Sequence, residues 1–173
     1  AEHGIRMQYA STAVLSNNLF SKAAGNDGVA GAKTVLTIRG PNFAGTSKYP
    51  AGLYTEKVVV SDNKFVPHIT QIGITGSGPQ GNNADERLRN LIWERNWWAL
   101  PASGNTVQIR HGFTSSETTV RNIIVEVSGN GNDHRAFYVQ MTNTVPGYPV
   151  PDQVRFYNNS GYSADSGSDF GLV

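Results

Sequence analysis

Short stretches of alternating apolar and polar residues run through this chain, each cut off within a few positions by glycine, asparagine or proline. A side-chain period of two places one face of a strand on a core and the other in water. Ile5-Arg6-Met7-Gln8-Tyr9 alternates in this way, as do His68 to Ile74 and Val107-Gln108-Ile109-Arg110-His111. Thr34 to Ile38 is β-branched and stops at Gly40-Pro41, and Tyr54 to Val60 runs into Ser61-Asp62-Asn63. Val120 to Val127 is the longest apolar stretch, closed by Gly129-Asn130-Gly131-Asn132-Asp133, a cluster that accepts positive φ and suits a hairpin. Phe137 to Met141 is then its return strand, and Val154 to Tyr157 comes last.

About eight short strands with turn residues between them predict an all-β, single-domain antiparallel β-sandwich, jelly-roll-like, spanning residues 1–173. Purely helical and repeat architectures are set aside. One short helix is expected near 84–98. Asn83 and Glu86 have the spacing of a capping box, Leu88, Leu91 and Ile92 follow at helical intervals, and Pro101 ends the segment. Trp97-Trp98 at its end would plug the sandwich.

Composition narrows the class. A chain of 173 residues with no cysteine has neither a disulfide framework nor thiolate zinc sites. A net charge of +1 argues against a general nucleic-acid field. No apolar run approaches the ~20 residues of a membrane helix. Charged residues make up only 16%, and Asn, Ser, Thr and Gly are plentiful. That balance suits secreted or surface-exposed proteins and virion subunits. Ala1 fits signal cleavage or removal of Met, and Asn158-Asn159-Ser160 is the single glycan sequon.

The two ends suggest assembly. Ile5, Met7 and Tyr9 lie in a strand (1–15) set off by the linker 16–31, and such a strand can be lent to a neighbour. The polar segment from 160 onward reads as a flexible arm, 160–173, tipped by Phe170, Leu172 and Val173.

The motifs carry little chemistry. Gly76-Ser77-Gly78-Pro79-Gln80-Gly81 matches a dinucleotide fingerprint, but the acidic residue expected ~20 positions on is missing. His3, His68, His111 and His134 have no metal-pair spacing. No Gly-x-Ser-x-Gly elbow is present. Glu94, Glu117, Glu126 and Asp133 are the carboxylates from which a glycosidase pair would come, with Glu126 placed on a solvated strand face. The acidic loops near 130–133 and 165–169 could offer oxygens to calcium, without matching an EF-hand; no other cofactor is expected. The aromatics suggest binding, since sugars stack on flat rings while polar side chains take their hydroxyls. Trp93, Arg95, Trp97 and Trp98 form the candidate platform, with at least one tryptophan at the surface or covered by a partner.

The expectation is therefore a non-enzymatic structural subunit that assembles with copies of itself through its terminal segments into a pilus, fibre or capsid-like particle. The alternative is a secreted carbohydrate-binding or adhesin domain using the 93–98 segment, with glycans as partners. A pore-forming toxin ranks third.

Overall fold

The computed structural model describes residues 5–21, 36–38, 40–41, 49–50, 52–66, 74–76, 88–100, 108–109, 115–127, 134–135, 153–163 and 170–171. Every described element is a strand: β1 (Ile5–Met7), β2 (Ala13–Ser16), β3 (Leu19–Ser21), β4 (Leu36–Ile38), β5 (Thr55–Ser61), β6 (Lys64–Val66), β7 (Ile74–Gly76) and β8 (Leu88–Glu94). There follow β9 (Trp97–Leu100), β10 (Gln108–Ile109), β11 (Ser115–Arg121), β12 (Ile124–Val127), β13 (His134–Arg135), β14 (Arg155–Tyr157), β15 (Ser160–Ser163) and β16 (Phe170–Gly171).

Every pairing between them is parallel, which overturns the antiparallel sandwich. The order β2-β5-β8-β11-β14 makes one sheet, β3-β6-β9-β12-β15 a second, and β1-β4-β7-β10 a third, with β13 and β16 paired separately. The chain thus visits one sheet after another and returns to each once per circuit, which is the topology of a β-solenoid. Successive rungs differ in length. Leu19 stacks on Lys64, Lys64 on Trp97, Trp97 on Ile124 and Ile124 on Ser160, intervals of 45, 33, 27 and 36 residues. A repeat architecture is present after all, with a period that the intervening segments vary.

The helix near 84–98 is corrected as well: 88–94 and 97–100 are strands β8 and β9. Leu88, Leu91 and Trp93 are buried, and the two neighbouring strands hold this segment extended, so pairing overrides the helical spacing. The capping residues Asn83 and Glu86 lie outside the described residues. The segment 120–127 divides between two sheets at Asn122-Ile123, and β12 pairs with β9 and β15. Its proposed hairpin partner, 137–141, falls outside the described residues, as do 77–81 of the glycine motif.

One corner is the same in every rung. Two residues join the β2-type strand to the β3-type strand: Asn17-Asn18, Asp62-Asn63, Arg95-Asn96, Asn122-Ile123 and Asn158-Asn159. The first of each pair is left-handed, with φ of 58°, 57°, 52°, 53° and 54°. Asn and Asp tolerate that region best, and they fill four of the five places.

The second of each pair forms a ladder. Asn63 Nδ2 donates to the Leu15 carbonyl at 2.8 Å, while its Oδ1 accepts from the Asn18 amide at 3.0 Å. Asn96 repeats this one rung on, donating to the Val60 carbonyl at 2.8 Å and accepting from the Asn63 amide at 3.0 Å. Asn159 does the same for the Val120 carbonyl and the Ile123 amide, at 3.1 and 2.9 Å. Ile123 interrupts the ladder with an aliphatic side chain that is fully buried.

Between the sheets the interior columns are apolar. Val60, Trp93 and Val120 stack in one column, and Phe20, Phe65, Trp98 and Val125 in another, all buried. Phe20 and Phe65 stack at 4.7 Å, and Phe65 meets Trp98 edge-on at 6.4 Å.

Candidate functional site

An in-register solenoid turns alternate residues outward in straight columns, so outward side chains from segments far apart in sequence become neighbours. The outer column of the second sheet runs Leu19, Lys64, Trp97, Ile124, Ser160. Trp97 is 41% exposed, and Ile124 beside it and Leu19 two rungs away are more exposed still. Lys64 Nζ sits 3.8 Å from the Trp97 ring centroid, a cation–π contact. The indole Nε1 donates to Glu126 Oε2 at 3.1 Å. The ring is therefore fixed from both neighbouring rungs, and Tyr162, also exposed, stacks below Glu126 in the adjacent outer column.

Of the three tryptophans in the expected platform, Trp97 alone reaches the surface. Trp93 is 1% exposed and Trp98 is fully buried, since each faces inward on its strand. Arg95 is exposed, on the corner beside this face. It grips Asp62 with two hydrogen bonds, Nε to Oδ1 at 2.8 Å and Nη2 to Oδ2 at 2.9 Å, and gives a third to Glu94 Oε1 at 2.6 Å. Arg121 Nε donates to Glu94 Oε2 at 2.7 Å, and its Nη1 reaches the Tyr157 hydroxyl at 3.0 Å. Corner residues of three rungs thus form one chain of ion pairs, which the Tyr157 hydroxyl extends to a fourth. Burial pushes the Glu94 carboxyl up, but the hydrogen bonds from Arg121 and Arg95 outweigh it and hold the carboxyl below its ordinary range. The hydrogen bond from Arg95 lowers Asp62 in the same direction. Tyr157 and Glu94 hold Arg121 charged.

A second outward surface lies on the other side of that corner. Lys57, Asn90, Glu117 and Gln153 are left-handed, with φ of 53°, 54°, 52° and 52°. The pairing passes over this level, running from Glu56–Arg89 to Val58–Leu91 and from Arg89–Ser116 to Leu91–Thr118. The bend therefore recurs in register, and it borders a groove of about 270 Å³ lined by Asn90, Ile92, Glu117, Thr119, Gln153 and Arg155. At the neighbouring level Glu56 is bonded to Arg89, which holds the Glu56 carboxyl low, and the Arg89 guanidinium lies 4.2 Å from the Tyr54 ring.

The terminal residues expected to engage a neighbour sit as follows. β1 pairs with β4 of its own chain, Ile5 opposite Leu36 and Met7 opposite Ile38. Met7 packs against the core, while Ile5 and Tyr9 are partly exposed and Tyr9 meets the Tyr49 ring at 4.9 Å. Phe170 lies in β16 opposite His134 of β13, and Leu172 and Val173 fall outside the described residues.

Lys64, Asn90, Thr119, Gln153 and Arg155 do not stand out in the sequence; their importance comes from register. Its signal was the recurring x-Asn pair flanked by apolar residues, as in Leu15-Ser16-Asn17-Asn18-Leu19-Phe20 and Val60-Ser61-Asp62-Asn63-Lys64-Phe65. Among the described residues no group of three or more His, Asp or Glu is placed to hold a metal, and no helix is long and apolar enough to cross a membrane. Comparison with protein-family models, with curated proteins and with solved structures returns no match.

Proposed function

We propose that this chain binds carbohydrate on the outer face of its solenoid, with Trp97 as the principal stacking platform. The observation that carries this reading is the 41% exposed indole of Trp97, held by the Lys64 ammonium over one ring face and by Glu126 at its Nε1. A pyranose is itself two-sided. Its C–H face packs on an aromatic ring and its rim of hydroxyls needs charged or amide partners. Leu19, Ile124 and Tyr162 add exposed apolar surface to the same face, and Lys64 and Glu126 supply a donor and an acceptor at its centre.

The proposal is tested by glycan-array binding of the wild type, Trp97→Ala and Trp98→Ala. Trp97→Ala is expected to lose the binding held on that face and to melt within a few degrees of wild type, because an exposed cation–π contact and one hydrogen bond are worth about 0.5–1.5 kcal/mol each. Trp98→Ala is expected to cost about 3–5 kcal/mol, the range for emptying a large aromatic site in a core. Array binding that survives intact in Trp97→Ala would contradict the reading.

A further inference from the structure

The groove on the bent sheet has a chemistry of its own. Three successive rungs supply two residues each: Asn90 and Ile92 from β8, Glu117 and Thr119 from β11, and Gln153 and Arg155 from the segment entering and starting β14. Strands in a sheet lie ~4.8 Å apart, so the groove follows the solenoid axis for about 10 Å, across two such spacings. Its lining offers a carboxylate, a guanidinium, two carboxamides, a hydroxyl and one aliphatic side chain. Arg89, Arg95 and Arg121 are each held by a carboxylate, whereas Arg155 has no carboxylate partner among the described residues. Glu117 and Gln153 keep left-handed backbones, which cost a residue other than glycine of order 1 kcal/mol and persist only where the surroundings impose them.

We infer that this groove is a second saccharide site, and that it takes a neutral, linear oligosaccharide lying along the axis. With one carboxylate and one guanidinium the lining carries no net charge, so it favours neither a uronate nor an amino sugar over a neutral one. Neutral hydroxyls meet both groups without repulsion and find donors and acceptors in alternation along three rungs. The repeat of the groove is the rung spacing, close to the length of one pyranose, so successive sugars meet equivalent positions on successive strands. Ile92 gives the C–H face of a sugar an apolar floor. The inference rests on the carbohydrate reading but not on the Trp97 face, which belongs to the other sheet beyond the corner.

Calorimetric titration of the full chain with cellohexaose, mannohexaose and xylohexaose, beside trigalacturonate, tests it, using Glu117→Gln, Arg155→Gln and Trp97→Ala. Glu117→Gln keeps the size of its side chain and Arg155→Gln shortens it; each removes the charge, and thermal melts check that the fold is retained. At least one neutral hexaose is expected to bind, with affinity weakened about tenfold or more by either groove variant, the scale of a lost hydrogen bond to a charged group. Wild-type affinity in both groove variants, with binding lost in Trp97→Ala, would overturn the groove and leave the platform standing. Loss in the groove variants alone would retain the groove and overturn the platform. Preference for trigalacturonate would overturn the neutral ligand class, and no heat with any of the four sugars would overturn both sites.

Discussion

Asn63 is the residue on which the corner most depends. Its carboxamide receives the Asn18 amide, donates to the Leu15 carbonyl and also bonds Asn96 Oδ1 at 3.0 Å, all within a side chain that is nearly fully buried. Asn63→Ala strands a backbone donor and a backbone acceptor together. Each such group costs about 1–3 kcal/mol when left without a partner, so the variant is expected to lose roughly 2–4 kcal/mol in a urea unfolding titration. Asn18→Ala, on the exposed first rung, is expected to lose no more than about 1.5 kcal/mol; equal losses in the two would contradict the ladder. The sequence displays these residues openly, since Asn17-Asn18, Asp62-Asn63, Asn96 and Asn158-Asn159 can be read off it. As isolated dipeptides they signal turns and nothing more. Only register turns them into a ladder, and Ile123 hides the fourth position from a pattern search.

At the scale of the element, the strands were legible and their partners were not. Segments 5–7 and 108–109 fall within runs whose alternation predicts strand, and 36–38, 55–60 and 155–157 within the other short runs read as strands. That same alternation led to the wrong pairing. Parallel sheets are usually buried on both faces and read as continuous apolar runs, so half-buried alternation argues for antiparallel sheets. A solenoid breaks the association, because its parallel sheets cover the core on one side and meet water on the other. The tryptophan segment failed for a related reason: Leu88, Leu91 and Ile92 suit a helix, but the bend at Asn90 shifts the inward phase of β8 so that Leu88 and Leu91 both face the core. The corner elements also predict a pH response. Glu94, Asp62 and Glu56 titrate below their ordinary values in the folded chain, so the unfolded chain takes up protons first as pH falls. Their contribution is whole above the ordinary glutamate value of 4.5 and is lost progressively below it. Glu94→Gln is expected to melt lower than wild type at neutral pH and to lose less further stability between about pH 5 and pH 3. An acid slope identical to wild type would remove Glu94 from that role.

At the scale of the whole molecule, each rung rests chiefly on its neighbours, and the outer face inherits its geometry from their register. Intervals of 45, 33, 27 and 36 residues between equivalent positions explain why no repeat is visible in the chain: solenoid sequences are recognised by a fixed period, and here the segments outside the strands change it at every turn. The same register assembles Lys64, Trp97 and Glu126 from three rungs and lines the groove from three. The most direct check is therefore of the register itself. The chain contains no cysteine, so paired cysteines report on contact without background. Leu19→Cys with Lys64→Cys places two exposed positions opposite one another on adjacent parallel strands, within the ~4.4–6.8 Å Cα separation that a disulfide spans. Leu19→Cys with Ile124→Cys places them three rungs apart, about 14 Å at the usual strand spacing. Under mild oxidation of dilute protein, the first pair is expected to form an intramolecular disulfide, read by mass spectrometry after digestion, and the second to remain reduced. A cross-link in the 19–124 pair, with none in the 19–64 pair, would contradict the solenoid and both surfaces built on it.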